Sequence, residues 1–303
     1  MPGTLYDESV PPEDLDWQTK LILLLVVPAT AVSVVLMADW GAQHAPAVLA
    51  WTLGLSTAFG LLAWNLRAGT PAAAATGALL TASMMFSAAT AEFRPWRSAL
   101  VPILAFMGIT SLATRFGRAR KERLGTAEGR RGRGAGQVAA NLGCAALVAQ
   151  PVAQIWIADH LGFGFTPGVP FFTVALAALS EAAADTVSSE IGQVLGGRPF
   201  MLTTLRRAEP GTDGAISLAG TLAGIAAAAG VALAGTWALQ GGPEMLLLSW
   251  AGGVFGLFFD SLLGATAERW NWLNNDAVNF LSTASASAFV LALLAFFPTN
   301  GIG

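Results

Sequence analysis

The sequence predicts an all-α polytopic transmembrane helix bundle of about nine spans. Of its 303 residues, 54% are hydrophobic and only 12% are charged, about half the charged fraction of a typical soluble domain. Apolar stretches of about 20 residues, long enough to cross a bilayer, recur along the whole chain. We place them near residues 21–38, 45–66, 72–91, 97–114, 137–158, 169–190, 214–239, 244–267 and 277–297.

These spans group into four parts of one membrane domain. An acidic N-terminal tail covers residues 1–20, a four-span half covers 21–114, a basic loop covers 115–136 and a five-span half covers 137–303. Spans 1–4 hold few polar groups and no carboxylate at membrane depth, so they are predicted to be scaffold. The polar motifs of the membrane region fall in the second half, which is predicted to be catalytic.

The distribution of positive charge orients the predicted bundle. All of the 16 Lys and Arg except Arg94 and Arg97 fall on one side of the nine-span arrangement, and the positive-inside rule makes that side cytoplasmic. The N-terminus is therefore expected in the cytoplasm and the C-terminus outside. Abundant Ala and the preference for Arg over Lys indicate a prokaryotic plasma membrane.

The remaining features of the composition exclude several kinds of site and segment. The single cysteine, Cys144, excludes a disulfide framework and a cysteine-based metal site. No small-residue cleavage site accompanies the first span, so no signal peptide is predicted. The basic loop is expected either to bind anionic membrane lipids or to attract a polyanionic substrate. No nucleic-acid partner is expected.

Span 6 carries carboxylates in its cytoplasmic half, although carboxylates are costly in lipid. At 100° per residue one stripe of this helix, with Ser189 at its edge, holds Glu181, Asp185, Ser188 and Gly192. We expect the stripe to face the protein interior. Glu190 falls on the opposite face of a regular helix, so either the helix breaks near Ser188 or Glu190 faces the aqueous loop.

Polar residues recur at the same face in the other late spans. Span 8 has a glycine or an acid at every fourth position, namely Gly256, Asp260, Gly264 and Glu268. The start of span 9 holds Asn274, Asn275, Asp276 and Asn279. Span 7 is predicted to begin as a glycine-rich helix N-terminus, which binds anions through free N–H groups, at Gly211, Thr212, Asp213 and Gly214. Arg198, Arg206 and Arg207 precede it, and Asn141 lies one turn into span 5.

Each of these features also has a purely structural explanation. Asp213 would serve as a helix N-cap, the Asn pair as a turn, Gly220 and Gly224 as helix packing, and Asp260 as a hydrogen-bonded acid. Their convergence on one face instead indicates a Mg²⁺ site, because Mg²⁺ prefers oxygen ligands and substrate phosphates. Arginines nearby suit phosphate.

A nucleotide site of the Walker type is excluded because no G-x-x-x-x-G-K-[ST] motif is present. The only lysines are Lys20 and Lys121. Neither lies in one of the polar motifs, so both are expected to be dispensable for activity.

Four segments resemble the signatures of one membrane family: GAGQVAANLG (134–143), ADTVSSEIG (184–192), PGTDGAISLAGTLAG (210–224) and GATAERWNWLNNDAVN (264–279). This family includes the phytyl-phosphate kinase of the chloroplast vitamin E pathway and its bacterial, archaeal and animal relatives. The resemblance covers about residues 115–297, whereas spans 1–4 resemble the family only in hydropathy. The ERWNW stretch before the Asn pair is shorter than in the plant relative.

The resemblance implies a Mg²⁺-dependent kinase that uses CTP or another nucleoside triphosphate to convert an isoprenyl monophosphate, such as phytyl, geranylgeranyl or polyprenyl phosphate, into the diphosphate. The polar motif residues of the family map onto Asp185, Glu190, Asp213, Asp260, Asn274, Asn275 and Asp276. We expect Asp185, Asp260 and Asp276 to hold the metal. Catalytic roles are expected for Asp185, Glu190, Asp260, Arg206 and Arg207. Nucleotide-binding roles are expected for Asn141, Ser188, Ser189, Gly211, Thr212, Asp213, Gly214, Asn274, Asn275, Asp276 and Asn279.

Two other classes of function stay open. One is a different phospholipid enzyme, such as a CTP-dependent prenol kinase or a cytidylyltransferase. The other is a lipid or ion transporter, in which intramembrane carboxylates carry protons or ions. Transport sites tend to lie near the bilayer midplane, whereas these acids gather at one side, which favours the kinase.

Overall fold

The computed structural model describes residues 15–89, 93–127, 132–161 and 169–296 and confirms an all-α polytopic membrane bundle. Its helices are α1 (Asp16–His44), α2 (Pro46–Asn65), α3 (Pro71–Ser87), α4 (Leu100–Arg115), α5 (Arg118–Leu124), α6 (Ala135–Val148), α7 (Pro151–Leu161), α8 (Val169–Leu195), α9 (Leu218–Ala238), α10 (Pro243–Leu263) and α11 (Asn275–Phe296). The other described elements are a hairpin of β1 (Phe200–Met201) and β2 (Ala215–Ile216), and a π-helical turn (Gly264–Glu268) that continues α10.

Local sequence signals set several helix ends. Helices α2, α3 and α10 begin with proline, whose missing N–H costs nothing at the first helical position. Thr70 and Ser217 cap α3 and α9 by accepting backbone N–H groups of the first turn. On the outer surface, large apolar side chains such as Leu24, Leu112 and Leu233 are more than half exposed, as expected for a lipid-facing surface.

Judged by length and composition, fewer of the described helices could cross a membrane than the nine spans that the sequence predicts. Among the described residues, five helices are long and apolar enough to cross a membrane, and the number rises to seven if each of two bent helix pairs is one span. Helix α3 has only 17 residues, and α8 contains three carboxylates. The count of nine therefore stays a prediction.

Three predicted segments differ from the structure. The span at 137–158 is two helices, α6 and α7, bent by 59° before Pro151, because proline disfavours helical geometry at the residue before it. The basic loop contains α5, which bends 65° from α4. Helix α1 begins at Asp16, inside the predicted tail. The rest of that tail, residues 1–14, lies outside the described residues.

Helix α8 forms the centre of the bundle, where it packs against α4, α6, α9, α10 and α11. Helices α1, α3 and α11 pack on α6, and α2 packs on α3. Gly220 and Gly224 of α9 lie against the carbonyl oxygens of Ser188 and Ala184 of α8, so these two glycines do serve helix packing.

The polar segments of the bundle meet at one end. Gln18 of α1 donates to the carbonyl of Trp272, just before α11, and Thr19 donates to Asp276 in the first turn of α11. Gly69 pairs with Arg133, and Thr126 bonds to Gln193 of α8. We call this region, comprising residues 15–19, 66–70, 113–127, 132–134, 190–217 and 264–276, the polar end. Most of the described residues of the predicted cytoplasmic segments lie there.

Candidate active site at the polar end

Two carboxyl groups from different helices meet below the polar end. Asp185 of α8 and Asp260 of α10 lie close enough for their charges to interact, and both side chains are half-buried. Glu181 lies one turn deeper on α8 and is only 1% exposed. Gly256 makes room for it, since a Cβ at Gly256 would lie 2.3 Å from the Glu181 side chain. Ser282 of α11 lies beside both Glu181 and Asp260, and its hydroxyl donates to the carbonyl of Asn279.

Two oxygens of this acidic group have no hydrogen-bond partner in the described part of the chain. Within the described residues, Oε1 of Glu181 and Oδ2 of Asp260 are buried without a hydrogen-bond partner. Adjacent carboxylates repel one another, so the pair requires either a shared proton or a cation. A buried, unsatisfied oxygen in a native structure indicates a missing ligand, ion or water. The arrangement therefore fits a cation bound between α8 and α10.

Arg133 brings positive charge to the same place. Its Nη2 donates to Oγ1 of Thr186 at 3.4 Å, and the guanidinium lies close enough to Asp185 to act on its charge. The backbone of Arg133 is fixed by two hydrogen bonds to the α2–α3 loop, one to the carbonyl of Ala68 and one from the N–H of Thr70. An arginine beside two carboxylates can hold an anion that a metal ion also binds.

A second acidic group lies nearer the aqueous surface. Gly214 has a φ of +69°, and a Cβ there would lie 2.0 Å from the backbone of Ala265, so only glycine allows the loop to lie against the π-helical turn. This contact brings Asp213 within electrostatic reach of Glu268, which also lies within reach of the charge on Asp185. Partial desolvation raises the pKa of Asp213, and the nearby guanidinium of Arg269 opposes that shift.

Glu190 is paired inside the chain. Helix α8 does not break near Ser188 but continues to Leu195, and Glu190 accepts a 2.5 Å hydrogen bond from Nζ of Lys121. Lys121 is 1% exposed and also donates to the carbonyls of Ala113 and Thr114. Lys121 is therefore a structural cation, and its dispensability for activity stays a prediction.

The asparagine motif anchors α1. Oδ1 of Asn274 accepts the N–H of Ala277 at the start of α11, and its Nδ2 donates to the carbonyl of Leu15 and to Oγ1 of Thr19. Thr19 in turn donates to Asp276 at 2.7 Å. Among the described residues, no three His, Cys, Asp or Glu side chains gather around a common point. The metal set of Asp185, Asp260 and Asp276 therefore remains a prediction, and only the first two are adjacent.

The predicted phosphate-binding loop is a hairpin, not a helix N-terminus. Residues Gly211, Thr212, Asp213 and Gly214 lead into β2, and α9 begins only at Leu218 with Ser217 as its cap. The positive φ angles of both glycines prevent this stretch from being helical. Asp213 is consequently not the N-cap, and the amides of Thr212–Gly214 are not the first turn of a helix.

The other predicted site residues differ in their surroundings. Arg206 and Arg207 are exposed on the hairpin, as are Ser189 on α8 and Asn275 on α11. Ser188 is half-buried against α9. Asn279 and Asn141 are buried, and Asn141 donates to the carbonyl of Gln137 one turn earlier.

Sequence reasoning missed three residues that the structure brings to this end: Thr19, Lys121 and Arg133. All three lie outside the four polar motifs of the sequence. Arg133 had a usable signal, because it directly precedes the GAGQVAANLG segment. Lys121 had a weaker one, as one of only two lysines in the chain.

The fold and this site define a class: polytopic membrane proteins with a carboxylate pair held between helices at one end of the bundle. The family model described as "Integral membrane protein DUF92" matches residues 54–287. The chain therefore belongs to this integral membrane family. No solved structure is significantly similar to it.

Three relatives are similar over parts of the chain. The uncharacterized membrane protein sll0875 of Synechocystis is 34% identical over 65% of this chain and 74% of its own length. The uncharacterized membrane protein MJ0933 of Methanocaldococcus jannaschii is 42% identical over 36% of this chain and 45% of its own length. Protein VTE6, chloroplastic, of Arabidopsis thaliana is 30% identical over 72% of this chain and 65% of its own length.

Proposed function

We propose that this protein is a membrane kinase that transfers a phosphoryl group from CTP, or another nucleoside triphosphate, to an isoprenyl monophosphate and so forms the diphosphate. The observation that carries the proposal is the Asp185–Asp260 pair with an unpartnered carboxylate oxygen, lying beside Arg133 at the end of an apolar bundle. The similarity to VTE6 and the family motifs support the same function.

The residues at this site fit Mg²⁺. Carboxylate oxygens are hard ligands, and Mg²⁺ typically uses one or two of them together with water and substrate phosphates. Asp185 and Asp260 would hold the ion, and Asp276 would have to reach it from its contact with Thr19. When bound, Mg²⁺ supplies charge neutralisation to the phosphates of the nucleotide.

The reaction needs positioning and charge more than a base. An oxygen of the lipid phosphate attacks the γ-phosphorus, the bond from that phosphorus to the β–γ bridging oxygen breaks, and the nucleoside diphosphate leaves. The second pKa of a phosphomonoester is about 6, so the nucleophile is already largely ionised near neutral pH. Arg133 would orient the phosphates and stabilise the charge on the transferred group, with Arg206 and Arg207 approaching from the hairpin.

We propose that the polar end faces the cytoplasm, where nucleoside triphosphates are available. The support is the concentration of Lys and Arg in the segments that form this end. Cysteines introduced beside Arg118 and Arg207 should react with an impermeant thiol reagent only when it is added from the cytoplasmic side. Labelling of either position from outside would overturn this orientation.

One observation favours a transporter as the second candidate. The acids form a series from buried Glu181 through Asp185 and Asp260 to Glu268 and Asp213. Such a series resembles a proton or ion path. A transporter would require a continuation from Glu181 to the opposite end, and toward that end the described helices packed on α8 hold one acid, Glu244, which is exposed in the first turn of α10.

The test is product analysis with purified protein in detergent. A panel of prenyl monophosphates and prenols is incubated with γ-labelled and α-labelled triphosphates, with Asp185→Asn as the matched inactive control. A kinase yields a labelled prenyl diphosphate and a nucleoside diphosphate, whereas a cytidylyltransferase releases pyrophosphate. Labelled prenyl monophosphate from a free prenol would identify a prenol kinase, and no product from any pair would reject the enzyme proposal.

A further inference from the structure

A cavity lies outside the carboxylate site, mostly in the half that the sequence marks as scaffold. Its volume is about 480 Å³, within the range of roughly 300–1,000 Å³ that is usual for small-molecule sites. Helix α2 packs on α3, while α4 packs on α8 and α9. The cavity fills the space between these two groups, with α6 along one side.

One rim of the cavity is basic. Arg67, Arg115, Arg118 and Arg133 line it, and they come from four different segments. Arg67 has a φ of +56°, which is unusual for a residue with a side chain. The loop that holds it in this conformation is paired to Gly132 and Arg133: the N–H of Arg133 donates to the carbonyl of Ala68, and Gly132 packs against the backbone of Arg67. The rim is thus built by long-range contacts.

The deeper lining of the cavity is mainly apolar, although Thr110 and Asn141 also lie there. Phe59, Phe106, Val138 and Leu142 line it. Phe59 and Phe106 precede Arg67 and Arg115 by eight or nine residues in the sequence, so they lie roughly 12 Å deeper at 1.5 Å per residue. Gly77 of α3 leaves space between Phe59 and Val138. A ligand that fits has one compact anionic head and a hydrocarbon tail.

Arg133 connects the cavity to the carboxylate pair. It lines the cavity and also reaches Thr186 and Asp185 of α8. Asn141, which the sequence singles out, lines the same cavity. An anionic head bound at the rim would therefore lie beside Asp185 and Asp260.

We propose that this cavity binds the phosphomonoester acceptor, with the phosphate between Arg67, Arg115 and Arg133 and the first part of the isoprenoid chain against Phe59 and Phe106. The chemistry of the ligand rests on the proposed kinase, but the position of the site rests on the cavity itself. The four-span half is then part of the substrate site and not only scaffold.

Binding without turnover tests the assignment. Wild-type protein in dodecyl maltoside is titrated with geranylgeranyl monophosphate by calorimetry, without nucleotide or metal, and geranylgeraniol and dioleoyl phosphatidic acid are titrated in parallel. We expect the monophosphate to bind at least tenfold more tightly than either comparison lipid, because geranylgeraniol lacks the charge and phosphatidic acid carries two chains.

Matched variants locate the two ends of the ligand. Arg67→Gln/Arg115→Gln should weaken monophosphate binding at least tenfold and leave geranylgeraniol binding unchanged, whereas Gly77→Leu should weaken both. Arg120→Gln/Arg123→Gln removes the same charge from exposed positions of α5 outside the cavity and should bind as the wild type does. Melting temperatures within a few degrees of the wild type confirm that each variant folds.

The result that overturns the assignment is unchanged monophosphate affinity in Arg67→Gln/Arg115→Gln, or phosphatidic acid binding as tightly as the monophosphate. The two proposals fail separately. Binding through Arg67 and Arg115 without any diphosphate product would reject the kinase and keep the cavity. Normal turnover with an unchanged KM in the double variant would keep the kinase and reject the cavity.

Discussion

Two acids five residues apart on α8, Glu190 and Asp185, have opposite electrostatic environments. Glu190 is neutralised within the chain by buried Lys121, which also satisfies two carbonyl oxygens left at the end of α4. Asp185 meets another acid, Asp260, and one oxygen of that partner has no hydrogen bond in the described structure. The chain supplies a lysine to the structural acid Glu190, whereas we propose that the Asp185–Asp260 pair binds a cation from outside the chain.

The largest expected difference between the Asp185–Asp260 pair and Glu190 is in the effect of substitution on turnover. Asp185→Asn and Asp260→Asn should each reduce phosphoryl transfer about a thousandfold, roughly 4 kcal/mol of transition-state stabilisation, because an amide is a much weaker metal ligand. The measurement is kcat with a prenyl monophosphate and CTP. The double variant should cost far less than the two losses combined, as expected for residues acting as a unit. Additive losses would show that the two acids act independently.

The next effect is on stability. Lys121→Ala leaves Glu190 without its counter-charge and should destabilise the protein by ~3 kcal/mol, since breaking one partner of a buried ion pair is strongly destabilising. Thermal unfolding in detergent measures it. Lys121→Met/Glu190→Gln removes both charges and should recover much of the loss. If the double variant is no more stable than Lys121→Ala, the pair is not what holds α5 to α8.

The smallest effect is expected at Glu181. It shares the stripe of Asp185 but lies about 6 Å deeper along the helix axis, so Glu181→Gln should lower kcat only about tenfold or less. The same kinetic assay serves here. Loss of function in Glu181→Gln together with near-normal turnover in Asp185→Asn would place the important acid in the membrane interior and favour the transporter.

The membrane fold and the polar end were accessible from sequence because both follow from composition. Long apolar stretches predict spans, and spacing of four predicts that Glu181 and Asp185 share a face. The partners across helices were not accessible in this way. Nothing in local spacing indicates that Lys121 reaches Glu190, 69 residues away, or that Thr19 bonds to Asp276, 257 residues away.

Backbone geometry explains why the predicted helix N-terminus at Gly211–Gly214 is a hairpin instead. The loop with Gly211 and Gly214 has the composition of an anion-binding helix start, but positive φ angles at both glycines turn the chain into a hairpin before α9. A glycine is compatible with either conformation, so sequence alone does not choose between them. The arginine cavity was missed for a related reason: its rim is assembled from four separate segments, each of which looks unremarkable by itself.

The contrast between the Asp185–Asp260 pair and the Lys121–Glu190 pair is tested most directly by measuring cation binding, with Mn²⁺ as a paramagnetic substitute for Mg²⁺. Electron paramagnetic resonance would measure Mn²⁺ bound to detergent-purified protein in the presence of a non-hydrolysable CTP analogue. We predict that the wild type and Lys121→Met/Glu190→Gln bind Mn²⁺ with similar affinity, and that Asp185→Asn and Asp260→Asn bind it at least tenfold more weakly. Equal Mn²⁺ binding in all four proteins, or a loss confined to the Lys121/Glu190 variant, would contradict the account.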